Sequence, residues 1–199
     1  MKFSASLALI AFLLLGACRP SQQTGNQAAS APEPAVAPIL TTPEAVDTHS
    51  FARPQEARVT HVALDLNVDF DAKRLAGTAA LDLDRRPQAR EILLDDNGLE
   101  IESVTDGSKE ALAFKVGAKD PDLGSPLAIE LRPDTKRILI RYKSAPDAGA
   151  LLWLTPQQTA GRKSPFMFSQ GESINNRSWI PTQDSPGIRQ SWEATIHVP

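Results

Sequence analysis

Hydrophobic and polar residues alternate along much of the chain after residue 58, and a period of two is that of a β-strand with one buried face. The clearest alternating stretch places Val62, Leu64, Leu66, Val68 and Phe70 on one face. A second stretch, residues 75–83, alternates in the same way after a polar turn. Two alternating stretches joined by a short polar turn predict an antiparallel pair of strands.

Further strands are predicted wherever a short apolar or alternating stretch lies between turn residues such as glycine, proline, asparagine and aspartate. These stretches are residues 91–94, 99–104, 111–116, 127–131, 137–142, 150–154, 166–169 and 192–198. The pattern predicts no amphipathic helix after residue 18, and the chain has no internal repeat of fixed period. The predicted fold class is therefore all-β, either a sandwich or an open curved sheet.

The first 46 residues differ in composition from the rest of the chain. Residues 1–18 carry a lysine near the start, then an apolar run and small residues, a pattern typical of a secretory signal peptide and too short for a membrane span. Residues 19–46 are rich in proline, alanine, serine and glutamine and contain no aromatic residue. Such a segment buries too little apolar surface to offset the entropy of ordering, so a disordered tether is predicted there. The folded domain is predicted over residues 47–199.

Cys18 is the only cysteine of the chain, so no disulfide explains its position. The preceding residues, Leu15-Gly16-Ala17, resemble the bacterial lipobox, and that resemblance implies lipidation of Cys18. It further implies an exported protein anchored in the cell envelope, on the outer membrane and facing the periplasm, because Arg19 rather than aspartate follows the cysteine. The alternative is an ordinary cleaved signal peptide that happens to contain a cysteine.

The stretch of residues 165–186 contains a cluster of polar residues that follows a strand. An apolar run predicts a buried strand that ends before Gly171, and Glu172 follows as a lone carboxylate among neutral residues. Burying such a charge alone costs on the order of several kcal/mol, so Glu172 is expected to face a cation or water. Arg177 and Asp184 flank Pro181, whose ring fixes the backbone, and are predicted to form a charge-assisted pair that holds the loop.

Charge and motif content exclude several classes of function. The net charge is −3 and the isoelectric point is near 5.6, so there is no basic footprint for nucleic acid. The chain contains neither H-E-x-x-H nor a glycine-rich phosphate loop, and Ser169 and Ser173 have no histidine near them in sequence. The three histidines, His49, His61 and His197, lie far apart in sequence, whereas a catalytic zinc takes three protein ligands in fixed geometry. No catalytic residue and no metal ligand is therefore predicted within this chain.

Several separated motifs resemble one known family. The order F-x-F-S-Q-x-E at residues 166–172, followed by R-S-W-x-P-x-Q-D-x-P at residues 177–186, is similar to the N-terminal domain of the gluzincin-type zinc aminopeptidases, on the branch that includes leukotriene A4 hydrolase. W-L-T-P-Q-Q-T at residues 153–159 and L-A-G-T-A-A-L at residues 75–81 agree with the same branch. The resemblance runs from about residue 47 to residue 199. It implies a large, saddle-like, mostly antiparallel sheet with a smaller sheet packed on it.

The resemblance also implies roles for individual residues. Gln170 and Glu172 match the positions from which the N-terminal domain reaches into the active site, with Glu172 binding the α-ammonium of the substrate. A glutamate where the leukotriene hydrolase branch often has glutamine favours aminopeptidase activity over epoxide hydrolysis. The matching scaffold positions are Arg177, Trp179, Pro181, Asp184 and Pro186. The alternative for Glu172 is a structural ion pair with Arg177.

In this family zinc is held by H-E-x-x-H in a separate catalytic domain, so the resemblance implies zinc for the full-length enzyme and no cofactor in this chain. Apolar residues still alternate over residues 192–198, so the chain is expected to be an incomplete domain with an unpaired strand edge. The predicted function is substrate recognition within an aminopeptidase that removes N-terminal residues from peptides, without catalysis by this chain alone. The alternative is a stand-alone β-sheet lipoprotein that binds a peptide or protein partner.

Overall fold

Ten β-strands form the framework of residues 34–199, which are the part of the chain that the structure, a computed structural model, describes. Their bounds are β1 (Ala57–Asp69), β2 (Arg74–Arg85), β3 (Glu91–Asp96), β4 (Glu100–Asp106), β5 (Phe114–Val116), β6 (Ser125–Glu130), β7 (Arg137–Lys143), β8 (Leu151–Leu154), β9 (Phe166–Ser169) and β10 (Ser191–His197). Short 3-10 turns lie at Pro38–Leu40, Pro156–Gln158, Ala160–Arg162 and Asn176–Ser178. Every strand predicted from the sequence is present, and the all-β prediction is confirmed.

The signal peptide, the lipidation of Cys18 and the first part of the tether are predictions that lie outside the described residues. Within residues 34–199, no helix has the length and apolar composition that a membrane crossing requires.

These strands assemble into a larger sheet and two smaller ones. The larger sheet has five strands in the order β10-β1-β2-β7-β4, the second has three in the order β3-β6-β5, and β8 pairs with β9 in a hairpin. All neighbouring strands are antiparallel except β1 and β10, which run parallel. A larger, mostly antiparallel sheet with smaller sheets is thus the arrangement observed.

Alternate residues of the strands fill one core, as the sequence pattern predicted. The buried residues of β1 join those of β2, β3, β6 and β7 in a single cluster, which includes Val62, Leu64, Leu66, Leu75, Leu81, Ile92, Leu94, Leu127, Ile129, Ile138 and Ile140. Tyr142 is fully buried among them, and its hydroxyl donates a hydrogen bond to the carbonyl oxygen of Trp179 at 2.8 Å. Burial raises the pKa of Tyr142 well above its ordinary value. The core is therefore tied directly to the loop that follows β9.

Ion pairs between neighbouring strands cover the outer face of the five-stranded sheet. Glu100 lies 3.2 Å from Arg74 and 3.8 Å from Lys143, and Glu102 lies 2.7 Å from Lys143 and 3.0 Å from Arg141. These side chains are partly exposed, and exposed pairs add little to stability. The basic residues that alternate along β7 therefore belong to a solvated face.

The end of the predicted tether lies on the domain. Val36 forms a β-bridge with Ile188, and Leu40, which is only 6% exposed, packs with Ala52 and Ile188. The prediction came from the average composition of residues 19–46, which does not show that a single leucine finds an apolar contact. Contacts with the domain therefore begin before the predicted boundary at residue 47.

β10 forms an edge of the five-stranded sheet, and all of its residues are exposed. Trp192 and Ile196 pair in register with the buried residues Val62 and Leu66 of β1, yet they are 72% and 41% exposed. Residues paired in register share a face of the sheet, so the core face of β10 is left uncovered by the described residues. Among the strands of residues 34–199, β10 is therefore an edge without a second neighbour, as predicted.

Candidate functional site

Arg177 and Asp184 form a buried pair at the centre of the loop that follows β9. Arg177 lies in the 3-10 turn Asn176–Ser178 and is 1% exposed. Its Nε donates to Asp184 Oδ2 at 3.3 Å, its backbone N–H donates to the same oxygen at 3.0 Å, and its Nη2 donates to the Asp184 carbonyl oxygen at 2.6 Å. Charge-assisted hydrogen bonds of this kind are stronger than neutral ones. The predicted pair across Pro181 is therefore present, and we call these two residues the clamp.

The guanidinium group of Arg177 also reaches three other segments. Nη1 donates to the carbonyl oxygen of Leu123 at 2.7 Å, and Nη2 donates to that of His49 at 2.6 Å. Asp95 Oδ2, on β3, lies 3.8 Å from Nη2. A buried charge is tolerated when its donors are satisfied in this way. One side chain thus joins the loop after β9 to the N-terminal segment, to β3 and to the turn before β6.

Asp95 is a second buried carboxylate beside the clamp, and sequence reasoning missed it. It is fully buried and accepts hydrogen bonds from Ser50 Oγ at 2.6 Å, from the Phe51 N–H at 2.9 Å and from the Asp184 N–H at 2.8 Å. Burial raises the pKa of Asp95, while the Ser50 hydroxyl and the Arg177 charge act in the opposite direction. The only signal in the sequence is a carboxylate at the end of an apolar strand.

Gln183 is another buried polar residue that was not predicted. Its Oε1 accepts a hydrogen bond from the Val59 N–H at 2.9 Å, and its Nε2 donates to the carbonyl oxygens of Ala57 at 3.0 Å and Leu93 at 3.2 Å. The amide therefore joins the start of β1 to β3. No local pattern marks such a glutamine, because its partners lie 90 to 126 residues away in sequence.

The remaining scaffold residues predicted from the motif differ in burial. Pro181 is buried, Trp179 is half-buried and Pro186 is exposed. The indole Nε1 of Trp179 is buried and has no hydrogen-bond partner among residues 34–199. Trp179 and Pro181 thus lie in packed surroundings, whereas Pro186 lies at the surface.

Gln170 and Glu172 lie on the turn that follows β9, and both are exposed. The backbone N–H of Gln170 donates to the carbonyl oxygen of Ala150 at 2.8 Å, and its side-chain Oε1 accepts from the Glu172 N–H at 3.1 Å. The Glu172 carboxylate forms no ion pair and no hydrogen bond with any of residues 34–199. The alternative of a structural pair between Glu172 and Arg177 is therefore absent from the structure.

Asn176 links the turn that carries Glu172 to the clamp. Its Nδ2 donates to Asp184 Oδ1 at 3.3 Å, while Asn175 Nδ2 donates to the Glu172 carbonyl oxygen at 3.2 Å. A Cβ atom at Gly171 would lie 2.0 Å from Asn176 Oδ1, so a larger residue there would displace this amide. The exposed Asn175 thus holds the turn and the half-buried Asn176 joins it to the buried clamp, while the Glu172 carboxylate faces solvent.

The hairpin of β8 and β9 presents an exposed apolar face next to this turn. Leu152 pairs with Phe168, and Leu152, Phe166 and Phe168 are 42%, 54% and 41% exposed; we call these three residues the hairpin face. The prediction of β9 as a buried strand is wrong. A two-stranded hairpin buries only one face, on which Trp153 packs edge-on against Phe70 with the ring centroids 5.7 Å apart. An apolar run does not show which of its faces is covered.

Residues 58–199 match the family described as the Peptidase M1 N-terminal domain. The chain belongs to this family. The matched range includes all the motifs from which the resemblance was predicted, and it covers more than half of the chain.

Relatives of this Peptidase M1 N-terminal domain are much longer proteins. Leucine aminopeptidase 2 from Yarrowia lipolytica is 33% identical over 153 residues, which cover 75% of this chain and 24% of that protein. Yeast leukotriene A4 hydrolase in complex with bestatin superimposes with a TM-score of 0.72 at 26% identity, over 80% of this chain and 26% of that one. An M1 zinc metallopeptidase from Deinococcus radiodurans, bound to a Tyr-Ser-Ala substrate, shares the fold with a TM-score of 0.53 at 18% identity, over 73% and 33% of the two chains. The chain spans about a quarter of the length of the curated relatives it matches.

The described residues of this Peptidase M1 N-terminal domain do not fit a zinc ion. Among residues 34–199, no group of three or more His, Cys, Asp or Glu side chains is placed to hold a metal. His61 Nδ1 lies 2.8 Å from Ser191 Oγ and its Nε2 lies 3.8 Å from Glu193, while His197 Nε2 lies 2.8 Å from Asp65. These two histidines join β1 to β10 and do not converge with a third ligand, whereas catalytic zinc takes three.

Proposed function

We propose that this domain is the substrate-recognition part of a zinc metallo-aminopeptidase and that Glu172 binds the free amino end of a peptide. The observation that carries the proposal is the exposed Glu172 carboxylate, which is unpaired within residues 34–199 and lies on a turn that Asn176 bonds to the clamp. An α-amino group has a pKa of about 7.7–8.0 and is largely cationic at neutral pH. The carboxylate therefore favours a free amino end over an acylated one.

Gln170 supplies a second polar contact in this proposal. Its Oε1 is occupied by the Glu172 N–H, and its side-chain NH2 group has no partner among residues 34–199. An amide NH2 donates to carbonyl oxygens. Glu172 would contact the ammonium group and Gln170 a peptide carbonyl. Two contacts at a fixed spacing would orient the amino end.

The hairpin face offers a surface on which a catalytic domain can pack. It leads directly in sequence to Gln170 and Glu172, and contiguous exposed apolar side chains mark protein interfaces. Two unit charges 4 Å apart attract by about 1 kcal/mol in water and by about 4 kcal/mol at an effective dielectric constant of 20. A domain that covers the hairpin face would exclude water around Glu172 and so strengthen its attraction for the amino end.

Isothermal titration of the chain with leucinamide and with N-acetyl-leucinamide tests this role. We expect the wild type to prefer leucinamide about fivefold, because the charge attraction in water is about 1 kcal/mol. Glu172→Gln is expected to abolish the preference, and Glu193→Gln, at an exposed carboxylate on β10, to retain it. Equal binding of the two compounds by the wild type, or an unchanged preference in Glu172→Gln, contradicts the proposal.

The zinc-binding part of the enzyme is proposed to lie outside this chain, because H-E-x-x-H occurs nowhere in its 199 residues. We expect the purified chain to hydrolyse no aminoacyl-anilide, even with added zinc. Zinc-dependent turnover that follows the protein through purification contradicts this expectation.

A second candidate function is a stand-alone module that binds a peptide or protein partner. The exposed edge strand β10 and the hairpin face favour it, because strand edges and apolar patches both bind partners. Translating the gene beyond codon 199 separates the two candidates. An open frame that encodes H-E-x-x-H supports the aminopeptidase, whereas an immediate stop codon together with a soluble, folded product supports the module.

We also propose that the protein is exported and anchored through a lipid on Cys18, with the folded domain in the periplasm. Support comes from the lipobox-like residues before the only cysteine. Cells fed labelled palmitate are expected to label the wild-type protein and not Cys18→Ala. Labelling of both proteins, or of neither, contradicts lipidation at this residue.

A further inference from the structure

Residues 35–50, which we call the strap, lie along the loop of residues 182–190. The backbone N–H of Ala37 donates to the carbonyl oxygen of Gly187 at 2.8 Å, and the N–H of Arg189 donates to that of Ala35 at 2.9 Å. Between these bonds Val36 and Ile188 form an antiparallel bridge. The strap thus adds a short strand-like contact to the loop that leads into β10.

Leu40 fixes the strap by apolar contact. It is 6% exposed and packs with Ala52 and Ile188, while its neighbour Ile39 is 81% exposed. A Cβ atom at Gly187 would lie 2.5 Å from Leu40 Cδ1, so the glycine makes room for the leucine. Leu40 is thus the buried apolar anchor of this part of the strap, and the partly buried Val36 and Ala37 pack against the same cluster.

The C-terminal end of the strap contacts the clamp. The carbonyl oxygen of His49 accepts a hydrogen bond from Arg177 Nη2 at 2.6 Å, and Ser50 Oγ donates to Asp95 Oδ2 at 2.6 Å. The same Asp95 oxygen accepts from the Asp184 N–H at 2.8 Å. Strap and clamp therefore share hydrogen-bond partners.

A series of direct contacts connects the strap to the turn that carries Glu172. Asp47 accepts a hydrogen bond from the hydroxyl of Ser185, which follows Asp184 in sequence. Asp184 in turn accepts from Asn176, whose amide lies against Gly171. The strap is therefore connected to the turn of Glu172 through the loop after β9 and not through the main core.

We propose that the strap is a conformational device that positions Glu172, closed when Leu40 is packed and open when it is released. Its effect on the binding of an amino end rests on the function proposed for Glu172. The coupling of Leu40 to Arg177 does not rest on that function, because it concerns only contacts within this domain. Because residues 35–46 of the strap are the last part of the predicted tether, release of the strap would both lengthen the free tether and loosen the recognition turn.

The strap has the features of a segment that opens separately from the rest of the domain. Leu40, Ala52 and Ile188 form a small apolar cluster distinct from the main core. Segments with few buried apolar contacts open with smaller free energies than core strands do. The strap is therefore expected to open while the sheets remain folded.

Amide hydrogen exchange of the full chain, resolved by residue with NMR, tests the coupling. We expect Leu40→Asp to speed exchange at least tenfold at Arg189, whose N–H donates to Ala35, and at Arg177, whose N–H donates to Asp184. Ile39→Asp is the matched control, since Ile39 is exposed, and it is expected to keep wild-type rates. Leu40→Ala is a milder variant that should show the same pattern with smaller increases.

The amides of Leu81 and Ile140, in the main core, report whether the effect is local. We expect them to keep wild-type exchange rates in both Leu40 variants. Unchanged exchange at Arg177 in these variants overturns the proposal, and so does an equal increase in the core, because the strap would then be an integral part of the fold.

The binding of leucinamide to the same samples separates this proposal from the function proposed for Glu172. We expect weaker binding by Leu40→Asp than by Ile39→Asp. An unchanged affinity together with faster exchange at Arg177 refutes the link to Glu172. Absence of leucinamide binding in the wild type counts against the role of Glu172, while the exchange rates still decide whether the strap and the clamp are coupled.

Discussion

Arg177 Nε lies 3.3 Å from Asp184 Oδ2 in a buried pair, and this contact fixes the loop from which Glu172 reaches solvent. The pair illustrates how the domain divides its polar residues. Those that hold the loop are buried and have their hydrogen-bonding groups satisfied, whereas the carboxylate proposed to meet a ligand is exposed and unpaired among residues 34–199. The recognition proposed for the exposed Glu172 would thus depend on the buried clamp nearby.

Arg177→Met is expected to destabilise the domain strongly. Removing the guanidinium leaves the buried Asp95 and Asp184 without their cation, and loss of one partner from a buried pair costs about 3–5 kcal/mol. Urea unfolding measures the change. Arg141→Met is the matched control, because Arg141 pairs with Glu102 at the exposed face of the sheet and should change stability little. Similar losses in the two variants would show that the clamp does not hold the loop.

Asp96→Asn is expected to change how stability depends on pH. Asp96 is 3% exposed, and burial raises the pKa of its carboxyl above the ordinary value of 3.8, while the N–H of Leu99 and the charge of Lys119 act against that rise. Because the folded state binds this proton more tightly than the unfolded state, the contribution of Asp96 is complete below pH 3.8 and is lost as the pH rises through the raised value. Asparagine keeps the acceptor for Leu99, which lies at 2.7 Å, and carries no charge. The variant should therefore exceed the wild type in stability at pH 7, and the difference should shrink toward pH 4.

Asp120→Asn is a control for which the pH dependence of stability is expected to have the opposite sign. The N–H groups of Leu123 and Asp122 hold the pKa of Asp120 below its ordinary value. Its contribution to stability is therefore present at neutral pH and is lost as the pH falls through the lowered value. Urea unfolding at several pH values checks both variants, and a pH-independent difference between Asp96→Asn and the wild type would rule out a charge effect at Asp96.

The fold could be predicted largely from the sequence because strand alternation is a local property. A buried face favours an apolar residue at every second position. The long strand β1 and the strand β7 show this alternation in their burial. The pair of Arg177 and Asp184 could also be predicted, because the two residues lie only seven positions apart around a proline. What was predicted correctly depends on residues that are close in sequence.

The rest of the site depends on residues distant in sequence, and no local pattern marks them. Asp95 meets Ser50 across 45 positions and Asp184 across 89. The exposure of Phe166 was missed for a related reason, since an apolar run identifies a strand but not what covers it. The packing of Leu40 was not predicted, because the prediction for residues 19–46 used their average composition and one leucine changes that average little.

Gly77→Ala is expected to force β1 and β2 apart. A Cβ atom at Gly77 would lie 2.0 Å from the backbone carbonyl oxygen of Asp65, and backbone has little room to move. Overpacking of this kind costs about 1–3 kcal/mol or more, which urea unfolding can measure. At Gly107 a Cβ atom would lie 3.7 Å from the Cβ atom of Arg137, so Gly107→Ala should have a much smaller effect. An equally small effect at Gly77 would contradict the close approach of the two strands.

Trp192→Lys is expected to reduce self-association of the chain. β10 presents an unpaired edge with an exposed apolar face, and such edges pair with other chains unless a charge blocks them. Sedimentation velocity at rising protein concentration measures the association. Val46→Lys, at an 82% exposed residue outside the sheet, is the control and should behave as the wild type does. Equal association of both variants would show that self-association does not occur through β10.

Recognition of an amino end by Glu172 is tested most directly by the carbon-13 NMR shift of its side-chain carboxyl group during titration with leucinamide. The predicted result is a saturable shift at Glu172 and at the amides of Gln170 and Gly171, none of which appears with N-acetyl-leucinamide. The exposed carboxylates of Glu44 and Glu110 should not move. A Glu172 signal that stays in place, or one that moves no more than those of the other exposed carboxylates, would contradict the account.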